Sequence, residues 1–114
     1  MIIEKGEKIH IMYRALYENS TRRHFLGEVQ VAEGSVCRLE GFVFVYDQKT
    51  TEFVRKPEKR ITIIDISESG YITNVIDQEV NLDNVSYKYS QGVGLIATDN
   101  NGFSLNINEF GAKS

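Results

Sequence analysis

His24-Phe25-Leu26-Gly27-Glu28-Val29-Gln30-Val31-Ala32-Glu33-Gly34-Ser35-Val36-Cys37-Arg38-Leu39-Glu40-Gly41-Phe42-Val43-Phe44-Val45-Tyr46-Asp47 is the stretch whose reading decides the fold. Apolar residues alternate there at period two and are rich in Val and Phe, the pattern of paired, half-buried strands. Ala32-Glu33-Gly34 reads as a three-residue hairpin loop, with Gly supplying a positive φ beside a bulge. That loop sets Val31 opposite Ser35, so Phe25 faces Gly41, Gly27 faces Leu39 and Val29 faces Cys37. One face then collects Phe25, Val29, Val31, Cys37, Leu39, Val43 and Val45. On the other, Glu28 meets Arg38 as an opposite-charge pair. Gly27 and Gly41 sit inside strands, where Gly marks a bend or a close backbone approach. Two in neighbouring strands predict a strongly curved sheet, closing as a small barrel or folding over as a sandwich. Residues 39–45 are apolar on both faces, so that strand is covered on both sides or lends one face to a subunit interface.

The same turn rule applies further along the chain. At Glu68-Ser69-Gly70 it places Ile66 opposite Ile72 and Ile64 opposite Asn74. At Asn100-Asn101-Gly102 it places Ala97 opposite Leu105 and Leu95 opposite Ile107. Ile9, Ile11, Tyr13, Ala15 and Tyr17 line one face of a first strand, and further strands fall at 51–56, 60–66, 71–76, 93–98 and 103–107. Residues 82–89 hold the single candidate helix, short and capped by Asn81 or Asp83, with a strand as the alternative. The expectation is a mainly β domain over residues 1–114: one antiparallel sheet of about eight strands and at most one short helix. A chain of 114 residues can bury a core without disulfides or metal.

Composition narrows the function classes. The net charge of −3 argues against coating nucleic acid by charge alone. Residues 1–60 carry 11 Lys and Arg against 9 Asp and Glu, and residues 61–114 carry 2 against 7, hinting at a basic and an acidic side. No apolar run approaches the roughly 20 residues of a membrane helix. Met1 to Glu7 lacks the charge and apolar core of a secretory signal. Together with the lone Cys37 this points to a cytoplasmic protein without disulfides.

His10, His24 and Cys37 lack the spacing of a metal site, so neither metal nor cofactor is expected. Cys37 falls on the apolar face, where a thiol acts as a small hydrophobe and not as a nucleophile. Gly92-Val93-Gly94 lacks the following helix of a dinucleotide site and reads as a loop. The acidic residues sit mostly at turns, where Asp closes local hydrogen bonds. No catalytic residue is assigned. Basic and aromatic residues form the most suggestive set: Arg22, His24, Arg38, Phe42, Phe44 and Tyr46 share a face in the proposed register. They are read as core with a charged rim, as a subunit interface, or as a ligand site. Arg55, Lys56, Lys59 and Arg60, around Pro57, are the candidates for nucleic acid, set against a solvated turn as the plain alternative.

Gly27-Glu28-Val29-Gln30-Val31, Gly34 and Gly41-Phe42-Val43-Phe44-Val45-Tyr46-Asp47 resemble the bent, glycine-bearing strand and Asp turn of the Sm-like small barrels. Ser69-Gly70-Tyr71-Ile72-Thr73-Asn74-Val75-Ile76 is similar in place to that family's second motif. The resemblance covers about half the chain and implies a small oligomeric barrel. The family's RNA-pocket Asn and Arg-Gly pair are replaced by Gln48 and Ser69-Gly70. In general character the chain also resembles small orphan proteins of environmental bacteria and mobile gene cassettes, a group that supplies no activity. The leading expectation is a non-enzymatic, self-associating binding module that forms homo-oligomers. The alternatives are a small-molecule pocket in a curved sheet with Arg22, His24, Arg38 and Tyr46 as its polar contacts, possibly enzymatic, and single-stranded nucleic-acid binding by an Sm-like oligomer.

Overall fold

The computed structural model describes residues 2–13, 23–47, 49–50, 52–68 and 71–107. Ala15, Tyr17, Arg22, Gln48, Ser69 and Gly70, named above, lie outside them. The chain is mainly β and antiparallel, and it divides into two compact units, residues 1–78 and 79–114.

Among the described residues the first unit holds six strands: β1 (Lys8–Tyr13), β2 (Arg23–Glu33), β3 (Val36–Asp47), β4 (Glu52–Arg55), β5 (Arg60–Asp65) and β6 (Tyr71–Ile76). Their order is β4-β3-β2-β1-β6, with β5 also paired to β3. β3 is long enough to serve two partners along its outer edge: Val36 to Gly41 pair with β5 and Phe44 to Asp47 with β4. This corrects the expected β5–β6 hairpin. Ile64 faces Cys37, and Ile72 faces Met12. The ladder that β3 offers outweighs a local turn between β5 and β6.

The β2–β3 hairpin exists with a different register. Gly34 and Ser35 alone form the turn, between paired Glu33 and Val36. Gly34 takes φ +59°, the positive φ that a tight two-residue hairpin demands at its first central position. Between Val29 and Val31 the ladder slips by one residue, a bulge at Gln30. Beyond it Val29 faces Leu39, Gly27 faces Gly41 and Phe25 faces Val43. Glu28 therefore meets Glu40, and Arg38 meets Val31, in place of the expected Glu28–Arg38 pair. The slip also turns Val31 out to solvent and brings Ala32 in against the core.

That core gathers Ile3, Ile9, Ile11, Phe25, Val29, Cys37, Leu39 and Val43, with Val45, Ile64, Ile66 and Tyr71 packed around it. Each large side chain buried there contributes about 1.5–3 kcal/mol. The paired glycines let β2 and β3 approach closely. A Cβ on Gly41 would lie 2.5 Å from the Gly27 Cα and inside the Leu26 carbonyl, and one on Gly27 would meet the Phe25 ring at 2.7 Å. At the far end, Asp65 ties β5 to the β2–β3 turn. Its Oδ1 accepts from Ser35 Oγ and Ser67 Oγ, both at 2.7 Å, and from the Ser67 N–H at 3.0 Å.

The described residues of the second unit form a three-stranded meander: β7 (Ser86–Ser90), β8 (Gly94–Thr98) and β9 (Ser104–Asn106). Here the turn rule succeeds. Ala97 faces Leu105, the Ile107 N–H donates to the Leu95 carbonyl at 3.1 Å, and Gly102 takes φ +94°. The expected helix at 82–89 is only one 3₁₀ turn, Leu82–Asn84, capped by the Asn81 side chain accepting from the Asp83 N–H. The rest is β7, whose alternation of Ser, Tyr and Lys carries little apolar signal. No helix among the described residues is long and apolar enough to cross a membrane.

Candidate functional site

The core face of the first unit ends in a cavity of about 410 Å³. Period-two alternation selects its walls. Odd residues of β1, β2 and β3 and even residues of β5 share the core face, so Ile11, Phe25, Val43 and Ile64 form an apolar floor. The same parity brings Tyr13, Arg23, Arg60 and Thr62 to the cavity, and Tyr71 enters from the start of β6 opposite Tyr13. The two tyrosine rings meet edge to face at 5.5 Å. Arg60 faces Gly41 across the β3–β5 ladder, where the missing side chain leaves room for its stem. Its Nη2 lies 3.3 Å from Glu58 Oε1, while its Nε–H is buried with no hydrogen-bond acceptor among the described residues. Chemically, two guanidinium groups and two phenols around an apolar floor suit a compact organic anion, since a guanidinium fork matches carboxylate or phosphate oxygens.

Of the residues singled out from sequence, His24 and Arg60 border this cavity, and the other described ones do not gather there. Phe42 and Phe44 are 4% and 1% exposed, on the opposite face from the cavity floor. That face also buries His10, His24 and Leu26. His10 and His24 meet edge to face at 5.4 Å, and His24 packs against Phe53 at 4.5 Å. Burial, with the neighbouring His24, lowers the His10 pKa to about 3. Tyr46 is half-buried against Phe53 at 5.3 Å. Arg38 is exposed in a separate shallow hollow with Val31, Glu33, Val36 and Ile63.

The four basic candidates divide. Arg55 places its guanidinium 3.8 Å from the centre of the Phe42 ring, and the Lys59 ammonium lies 5.8 Å from it. Together they cap a buried aromatic, where a base would need an open ring face. Lys56 is exposed, its backbone N–H donating to the Val43 carbonyl at 2.8 Å. Arg60 alone reaches the cavity. Cys37 is buried, and burial with the Asp65 charge pushes its thiol pKa up. Among the described residues no three His, Cys, Asp or Glu side chains group as metal ligands.

Sequence reasoning missed Tyr13, Arg23 and Tyr71 as site residues. A signal was present for two of them: Tyr13 continues the Ile9, Ile11 face, and Arg23 continues the Phe25, Val29 face. No family model, curated protein or solved structure matches the chain.

Proposed function

We propose that the first unit is a binding domain for a small organic anion, held in the cavity between β1, β2, β3, β5 and the start of β6. The observation that carries this reading is Arg60, whose buried Nε–H lacks an acceptor among the described residues while its side chain lines an apolar cavity. A buried donor left unmade costs about 1–3 kcal/mol, so a ligand oxygen supplying the acceptor recovers that energy. Arg23 adds a second positive charge and the tyrosines add hydroxyl donors. The volume falls within the range of roughly 300–1,000 Å³ common to small-molecule sites.

The reading includes a sheet coiled into a partly open barrel. In a flat sheet β5 and β6 would lie about 19 Å apart, four strand spacings. Residues 66–70 could bridge that only when stretched to roughly 20 Å. Instead the chain turns directly after β5, with Glu68 N–H donating to the Asp65 carbonyl at 3.2 Å, and the first residue of β6 stays close, with Tyr71 N–H donating to the Glu68 carbonyl at 3.3 Å. The close Gly27–Gly41 approach supports the same bend.

Benzoate and its neutral isostere benzamide test the proposal, with isotope-labelled protein observed by NMR. Benzoate at millimolar concentration is expected to move the resonances of Ile11, Phe25, Val43 and Ile64. Benzamide should bind at least about ten-fold more weakly, and Arg60→Gln should weaken benzoate by about 10- to 100-fold, the loss of one charged hydrogen bond. Equal binding of the two compounds, or no movement with either, overturns it.

A further inference from the structure

The outer edge of β5 departs from what single chains do with open strands. Natural edges are shortened, charged or interrupted by Pro. β4 follows that habit, four residues long with Glu52 and Arg55 at its ends. β5 runs six residues as Arg60-Ile61-Thr62-Ile63-Ile64-Asp65, and among the described residues it pairs with β3 on one side only. Ile61 and Ile63 are 62% and 61% exposed, and Ile63 also borders the cavity. The exposed Val31 and Val36 continue that apolar surface beside Ile63.

Backbone geometry says which groups this edge offers. The Ile66 N–H donates to the Ser35 carbonyl on the β3 side at 2.9 Å. Antiparallel ladders alternate at period two, so Ile64, Thr62 and Arg60 also turn their N–H and C=O groups towards β3. The outward groups therefore belong to Ile61, Ile63 and the N–H of Asp65, whose carbonyl already accepts from the Glu68 N–H. We propose that β5 pairs with β5 of a second copy of this chain, antiparallel about a two-fold axis at Thr62. In that register Ile61 faces Ile63 of the other copy, twice over, and both residues use their outward backbone groups. Lys59 then meets Asp65 across the axis at each end, an opposite-charge pair on the same face as the isoleucines. Moving the axis to Ile61 sets Asp65 against Pro57, which has no N–H to give. Moving it to Ile63 sets Ile61 against the Asp65 carboxylate. Only the axis at Thr62 matches charge with charge and apolar with apolar, and a two-fold interface requires such self-complementarity.

Sedimentation equilibrium of the full chain from micromolar to millimolar concentration is the first measurement, with a dimer expected. Ile63→Lys and, separately, Ile61→Lys introduce a charge at solvent-exposed positions, so the thermal melt should hold. The loss counts twice across the axis, so each should weaken the dimer by about 100-fold or more. Register is read by cysteine cross-linking. Thr62→Cys lies at the axis in a pair without backbone hydrogen bonds, where Cβ atoms come close enough to oxidise to a disulfide. The native Cys37 is buried and does not compete. A monomer throughout the range overturns the proposal. So does a dimer that both lysine variants leave intact, or cross-linking through Ile61→Cys or Ile63→Cys in preference to Thr62→Cys.

Discussion

His10→Asn removes a proton-binding group from the buried face opposite the cavity, and the consequence can be worked out before it is measured. The His10 ring is fully buried beside His24, and its pKa falls from 6.5 to about 3, first through burial and then through His24. As pH drops below 6.5 the unfolded chain takes up a proton at this position, while the folded chain stays neutral until about pH 3. The unfolded state thus binds more protons across that window, and stability falls as pH falls. Each pKa unit corresponds to 1.36 kcal/mol, so the two units between pH 6.5 and 4.5 cost about 2–3 kcal/mol. That is a large share of the roughly 5–15 kcal/mol of a small domain. Asp65 does not confuse the window. The hydrogen bonds from Ser67 and Ser35 hold its carboxyl below the ordinary value of 3.8, so its contribution is present above that value and lost only at lower pH. Urea unfolding of both proteins between pH 7 and pH 4.5 is the assay. The wild type should lose about 2–3 kcal/mol more than His10→Asn over this range, whatever stability the variant has lost at pH 7. Parallel pH profiles would refute the argument, because they would mean that His10 takes up its proton as readily folded as unfolded.

Two further outcomes follow from the backbone and the core. Gly41→Ala should cost about 3 kcal/mol or more in urea unfolding, since its Cβ meets backbone atoms that cannot yield. Gly34→Ala should cost only about 1 kcal/mol, from its positive φ of +59° with open space around it. A larger loss at Gly34 than at Gly41 would contradict the close β2–β3 approach. Cys37, buried and with a raised thiol pKa, should react with a disulfide reagent many times more slowly in the folded protein than in urea. Equal rates would place it at the surface.

Faces were legible in the sequence where ladders were not. Period-two alternation assigned Phe25, Val29, Cys37, Leu39, Val43 and Val45 to one side, and all six line or flank the observed core. It did so although the expected register was displaced, because a shift of two residues preserves parity. The seventh, Val31, failed because the bulge at Gln30 reverses parity near the turn. No residue type announces that bulge; it reconciles a two-residue Gly34-Ser35 turn with the Gly27–Gly41 contact further along. The distant turn at Asn100-Asn101-Gly102 came out correctly, since there both partners are adjacent in sequence and Asp99 Oδ1 closes the loop on the Asn101 and Phe103 N–H groups.

Recognition of the site fails for a related physical reason. Proximity to Pro57 in the sequence groups Arg60 with Arg55, Lys56 and Lys59. Strand alternation separates them: Arg60 turns to the core face, and Arg55 reaches over Phe42 on the other. Its true companions, Tyr13, Arg23 and Tyr71, arrive through three ladders, β1 on β2, β1 on β6 and β3 on β5. The last of these exists only because β3 is twice the length of β5, and leaves half its outer edge open when β4 has paired with the other half. Local turn chemistry carries no information about that vacancy. What a sequence can supply is the parity of each strand, and the rule that a strand apolar on both faces needs partners along both edges. Applied to β3, that rule demands a second partner from downstream, and Arg60-Ile61-Thr62-Ile63-Ile64 is the next alternating run available. Pairing it there puts Arg60 opposite Gly41 and assembles the cavity without any appeal to the local hairpin.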